Sequence, residues 1–104
     1  MKKDLPDERN FQKKLIRDLK DKYEDAIVLK IDASRSGVPQ GFPDILILKD
    51  DKWAALECKK TKKATKRPNQ EYRIERMNEM SFARFIYPEN RKEVLDELQQ
   101  ALQS

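Results

Sequence analysis

Apolar residues recur at helical spacing near the start of the chain. Phe11, Leu15 and Leu19 repeat every four positions, and Ile16 and Tyr23 widen the stripe. Asp4, Pro6, Asp7 and Glu8 stand ahead of it, a proline suited to a first turn and acids suited to the positive end of a helix dipole. The spacing predicts helix 1 over roughly residues 6–23. Ala26 to Ile31 is short, β-branched and apolar, which predicts a first strand. The stretch from Ser34 to Gly41 holds both glycines and predicts a loop. Asp44 to Leu48 and Trp53 to Glu57 flank Lys49-Asp50-Asp51-Lys52, an antiparallel hairpin with the two aspartates as its turn. Both faces of that hairpin are apolar, so it needs cover on each side and belongs in a sheet between helices. Pro68, followed by Gln70, Ile74 and Met77 at i, i+4 and i+7, predicts helix 2 over about 68–80. Phe82 to Tyr87 reads as a fourth strand stopped by Pro88. Asn90 with Glu93 suggests a capping box, and Val94, Leu95, Leu98 and Leu102 form the apolar face of helix 3. The expected fold class is α/β, in the order αβββαβα, with a mixed four-stranded sheet flanked by helices.

Length limits this to one domain over residues 1–104, because 104 residues with 38% hydrophobic side chains cannot divide between two cores. The absence of histidine removes His-based zinc sites, Ser-His and Cys-His catalysis and nucleases that use a histidine base. One cysteine leaves no intrachain disulfide and no CxxC pair. The longest uninterrupted apolar run is Ile45 to Leu48, far short of a bilayer span, and the opening Met-Lys-Lys-Asp-Leu-Pro lacks the apolar stretch of a signal peptide. A cytoplasmic location in a reducing compartment, with no membrane association, is the expectation.

Net charge is +4, from 23 basic and 19 acidic residues, and its position matters more than its size. Residues 1–58 hold 12 of each sign, and residues 68–104 hold 5 basic and 7 acidic. Residues 59–67 hold 6 basic residues and no acid. Concentrated positive charge suits phosphate binding, since each neutralised phosphate releases condensed counterions. Lys60, Lys62, Lys63, Lys66 and Arg67 of this tract are candidate nucleic-acid contacts, and Arg35 in the glycine-bearing loop is another. Trp53, Tyr72 and Tyr87 are candidate stacking platforms, although single aromatics on strand or helix faces more commonly join the core.

The hairpin register gives the central chemical inference. A turn at Asp50-Asp51 pairs Lys49 with Lys52 and Leu48 with Trp53, and therefore Asp44 with Glu57. Directly opposed cross-strand residues have Cβ atoms about 4.5–5.5 Å apart, and Lys59 shares a face with Glu57. Like charges placed opposite each other destabilise a sheet, so this pair calls for a cation between its members. Mg²⁺ fits, because it takes one or two carboxylates together with waters and substrate oxygens. The Cys58 backbone carbonyl is a further candidate ligand, while its thiol points to the other face as core filling. Lys59 has two open roles, as a general base or as an ammonium that orients water and stabilises developing charge. A structural ion-pair cluster at a strand end is the alternative.

Pro43-Asp44 followed thirteen residues later by Glu57-Cys58-Lys59 resembles the signature of the PD-(D/E)XK nuclease superfamily. Within it the chain looks most like the VRR-NUC (virus-type replication-repair nuclease) domains and phage Holliday-junction resolvases. The likeness runs nearly end to end. It takes in Glu8 at the head of helix 1, the approach from Gly37 through Gly41-Phe42-Pro43-Asp44, then Glu57-Cys58-Lys59-Lys60, and Gln70 at the opening of helix 2. It implies a restriction-endonuclease-like core and a Mg²⁺-dependent DNA endonuclease, with Mn²⁺ as a substitute, selective for branched or junction DNA in repair or recombination in a phage or bacterial cell. Asp44 and Glu57 would be metal ligands, Glu8 a further metal or water ligand, and Gln70 a supporting residue holding Lys59 or the scissile phosphate. Two symmetric cuts would call for a homodimer, with Phe85, Tyr87 or the outer face of helix 1 as its surface. A nuclease-like fold kept as a DNA-binding or protein-interaction module without cleavage, and an RNA-processing nuclease, are the rival readings.

Overall fold

The structure is a computed structural model that describes residues 8–103. Asp4, Pro6 and Asp7, expected to open helix 1, lie outside the described residues. The elements are α1 (Glu8–Lys22), β1 (Ile27–Lys30), β2 (Ile45–Lys49), β3 (Lys52–Cys58), α2 (Pro68–Met80), β4 (Phe82–Ile86) and α3 (Arg91–Gln103). The order is αβββαβα, as expected.

One mixed sheet runs β1-β2-β3-β4. β1 and β2 pair antiparallel, as do β2 and β3, while β3 and β4 pair parallel across the α2 crossover. The hairpin register runs from Lys49↔Lys52 to Ile45↔Leu56, the pairing expected from a turn at the two aspartates. Asp50 takes a left-handed conformation, φ 56°, in that turn, which short polar side chains tolerate better than branched ones.

Strand alternation divides the core between two faces. Ile45, Ile47, Ala54, Leu56, Cys58, Phe82 and Ile86 pack with Leu15, Leu19 and Tyr23 of α1 and with Val94, Leu98 and Leu102 of α3. Ala55 and Ala83 pack with Ile74 and Met77 of α2, supported by Phe42, Leu46, Trp53 and Phe85. Burying one such Leu or Ile contributes about 1.5–3 kcal/mol, so the sheet is held mainly from the α1/α3 side, where the large side chains lie.

Several local expectations are corrected. The apolar stripe of α1 packs as expected, Leu15, Leu19 and Tyr23 buried and Phe11 and Ile16 partly buried against them, but the polar Gln12 joins the buried face. Cover on the α2 face reaches β3 and β4 but not β1, so Ile27 (57% exposed), Leu29 and Leu48 stand open to solvent. β4 ends at Ile86, because the Tyr87 N–H donates to Asn90 Oδ1 (2.8 Å) and the chain enters a 3-10 turn at Pro88–Asn90. Asn90 also donates from Nδ2 to the Phe85 carbonyl (3.1 Å), so its side chain reaches back to β4 instead of forming the expected box with Glu93.

Candidate active site at the strand ends

Asp44 immediately precedes β2. Its carbonyl accepts the Ile31 N–H (2.7 Å), which fixes it beside the end of β1, and its Oδ2 accepts the Cys58 N–H (2.9 Å). The register that pairs Ile45 with Leu56 places Glu57 next to Asp44 and Pro43 opposite Cys58. Proline has no N–H to donate, so Pro43 gives the Cys58 carbonyl no ladder hydrogen bond. The Cys58 N–H and carbonyl therefore point at the end of the hairpin where Asp44 sits.

Beyond Leu56 the side chains of β3 alternate. Glu57 (3% exposed) and Lys59 (8%) turn to the α2 face, while Cys58 turns into the core under α1 and α3. Gln70, in the first turn of α2, ties the first two together. Its Nε2 donates to Glu57 Oε2 (3.0 Å) and its Oε1 accepts from Lys59 Nζ (2.8 Å). Gln70 Oε1 also accepts the Arg67 N–H (3.2 Å), so one amide caps the helix and bridges the acid and the amine. Lys59 Nζ stands 3.9 Å from Glu57 Oε2, and Lys59 N–H donates to the Ile86 carbonyl (2.9 Å), extending the pairing with β4 by one residue.

Electrostatically the centre is strained. Burial pushes the Glu57 carboxyl up to about 8, with the neighbouring Asp44 charge adding to the rise and Lys59 opposing it. Burial also raises Asp44, against the Cys58 N–H and the charges of Lys59 and Lys30. The Cys58 thiol is pushed up by burial and then by Asp44 and Glu57, which keeps it neutral and unreactive. Glu57 Oε1 is buried and has no hydrogen-bond partner. A buried, unpartnered carboxylate oxygen beside a second raised carboxylate is a donor set that a hard cation would satisfy. Among the described residues no cluster of three or more His, Cys, Asp or Glu side chains suits a metal ion. The fit therefore rests on two carboxylates, a backbone carbonyl and water, the ligand mix that Mg²⁺ favours.

Cavities open on two sides of Asp44. One, of about 230 Å³, lies between the loop and α2 and is lined by Gly41, Phe42, Glu57, Arg67, Asn69 and Gln70 among others. The other, of about 510 Å³, lies on the α1 side and is lined by Glu8, Arg9, Gln12, Lys30, Asp44 and Lys60. Glu8 is thus brought to Asp44 as expected, exposed at the head of α1, with its charge felt at both Asp44 and Glu57.

The structure disperses the basic tract. Lys60 faces the α1-side cavity, Arg67 lines the smaller one, and Lys62 and Lys63 are exposed in the loop between them. Lys66 is half-buried, with Nζ 5.3 Å from the Phe85 ring centre and 5.8 Å from that of Tyr87. Those two aromatics, expected as a dimer surface, therefore carry an intramolecular cation. Arg35 lines neither cavity and pairs with Asp32 (3.5 Å) in the exposed loop. Of the candidate stacking rings, Trp53 joins the α2-side core and Tyr72 is 61% exposed.

Sequence reasoning missed Gln12, Lys30 and Arg9, and took Gly41 only as part of the approach to Asp44. Gln12 was accessible, since it follows Glu8 by four residues and precedes Leu15 by three, on the same helical face. Gly41, one of two glycines in the chain and three residues before Asp44, packs against the start of α2. It has φ +79°, and a Cβ there would lie 2.7 Å from the Asn69 carbonyl oxygen. Compared with known proteins, the chain matches no family model, no curated protein and no solved structure.

Proposed function

We propose that the chain is a divalent-cation-dependent endonuclease with a restriction-endonuclease-like core that hydrolyses phosphodiester bonds in DNA, branched DNA above all. Glu57 carries this reading: it is 3% exposed, one of its oxygens has no partner, and it stands beside Asp44 with Lys59 tied to it through Gln70. Asp44, Glu57 and the Cys58 carbonyl would hold Mg²⁺ or Mn²⁺, which when bound polarises a phosphodiester and lowers the pKa of a coordinated water. Lys59, held by Gln70 Oε1, keeps its amine beside the carboxylates, where negative charge develops on the reacting phosphate. Gln70 positions both groups. Two symmetric cuts in a four-way junction would take two copies of the chain.

The test is cleavage of a four-way DNA junction, run beside linear duplex, flap, single strand and a matched RNA duplex, with Mg²⁺ or Mn²⁺. Junction cutting is expected, and Asp44→Asn, Glu57→Gln and Lys59→Ala should each abolish it while binding persists. Folded wild-type protein inert on every nucleic acid with both ions present rejects the reading. Faster cutting of RNA than of DNA moves the substrate class to RNA.

A further inference from the structure

The cavities on the two sides of Asp44 differ in charge, with the surplus of cations on the α1 side. On the α2 side, Arg67 and the buried Lys59, 3.9 Å from Glu57 Oε2, match two carboxylates, Asp44 and Glu57. On the α1 side, three cations, Arg9, Lys30 and Lys60, face two carboxylates, Glu8 and Asp44. The α1-side cations come from three separate elements. Arg9 stands on the first turn of α1, Lys30 closes β1 opposite Ile45, and Lys60 follows Lys59 on the alternate side of the extended chain. Lys30 lies near enough to Asp44 to oppose the rise that burial causes there. Gln12, 8% exposed, adds an amide to the cavity wall. Past Lys30 the space continues to Asp32, whose carboxylate is already engaged by Ser34 (2.6 Å) and Arg35 (3.5 Å).

We propose that the α1-side cavity is a phosphate seat, in which Arg9, Lys30 and Lys60 hold a phosphodiester group of the nucleic-acid backbone against Asp44. It lies across the sheet end from Glu57, Lys59 and Gln70. This rests on the reading of Asp44 and Glu57 as a phosphodiester-hydrolysing centre and adds to it the side from which the backbone enters. The division follows from charge. A cation seeks the α2 side, where Glu57 Oε1 is buried without a partner, and an oxyanion seeks the α1 side, where bases outnumber acids.

The experiment uses the full chain, a fluorescein-labelled four-way DNA junction and Ca²⁺ in place of Mg²⁺, with anisotropy read across a range of salt. Arg9→Ala and Lys30→Ala are each expected to weaken binding by about threefold to tenfold and to reduce the slope of log affinity against log salt by about 0.9. Lys92→Ala, at a side chain 91% exposed on α3, is the control and should leave both unchanged. Unaltered melting temperatures establish that the variants fold. A parallel Mg²⁺ titration by calorimetry without nucleic acid should give one ion per chain in wild type and in Lys30→Ala. A second ion per chain in wild type that Glu8→Gln abolishes would make the cavity a cation site and overturn the seat. Wild-type protein that binds and cuts, with Arg9→Ala and Lys30→Ala indistinguishable from Lys92→Ala, overturns the seat alone. Wild-type protein that neither binds nor cuts overturns the nuclease reading as well.

Discussion

Glu57 occupies a position where its own charge opposes folding. In the unfolded chain it titrates near 4.5, and in the fold burial and Asp44 raise it to about 8. Between those values the folded state binds the proton more tightly, so protonation favours folding and stability falls as pH rises through the window. Asp44 is shifted in the same direction and adds to the slope. Metal-free protein should therefore lose on the order of a few kcal/mol of unfolding free energy from about pH 5 to about pH 8 in urea titrations, and Glu57→Gln should flatten most of that loss. A cation held by Glu57 would replace the proton, so Mg²⁺ uptake at neutral pH should release about one proton per ion, measured by calorimetry in buffers of different ionisation heat. Gln70 is the counterpart of this strain. Gln70→Ala leaves Lys59 Nζ, Glu57 Oε2 and the Arg67 N–H without the partner they share, and should cost about 1–3 kcal/mol in the same urea assay, while kcat falls with the loss of a fixed amine.

The loop from Ile31 to Asp44 and the first turn of α2 meet at Gly41. There the backbone has φ +79°, and an added Cβ would press on the Asn69 carbonyl at 2.7 Å and on Gln70 N at 3.0 Å. Gly37, at φ +95° in the same loop, has open space around it. Gly37→Ala therefore carries only the backbone penalty, whereas Gly41→Ala also drives the loop from α2 and should be costlier by about 1–3 kcal/mol in thermal or urea unfolding. It should also impair cutting more than Gly37→Ala, because the displaced backbone is that of Gln70. This contact illustrates what a sequence conceals. The pairing of Lys49 with Lys52 was legible because a two-residue turn and strict alternation leave one register, and the α2 span because Pro68 and the Gln70, Ile74 and Met77 spacing agree. Asp44, Glu57, Lys59 and Gln70 came together for the same local reasons. Gln12 escaped because a stripe drawn through apolar residues passes over a polar one on the same face. Lys30 and Arg9 escaped because the seating of α1 against the end of β1 is a tertiary matter that no spacing encodes. Asn90 carries a helix-cap signal, but the end of β4 takes its side chain first.

Across the whole molecule, the surplus of positive charge is a single tract in sequence but several distinct environments in space. Lys59 is buried within the site, Lys60 faces the α1-side cavity and Arg67 the α2-side one. Lys62 and Lys63 stand exposed, and the Lys62 backbone is anchored by Glu89 Oε1 (3.2 Å). Lys66 lies over Phe85 and Tyr87 beside the α2-side core. Exposed cations attract phosphates at long range and act on association, whereas a cation stacked on aromatic rings contributes to packing. Substitutions along the tract should therefore separate into two kinds. The Lys62→Ala/Lys63→Ala pair should weaken junction binding for every DNA sequence alike and lower the salt slope by up to about 1.8, with melting temperature and Mg²⁺ stoichiometry unchanged. Lys66→Ala should instead cost about 0.5–1 kcal/mol of stability, read by urea unfolding, with a smaller change in salt slope. Were the Lys66 variant to behave like the Lys62/Lys63 pair, its ring contacts would carry no packing energy and the tract would act as one uniform basic surface.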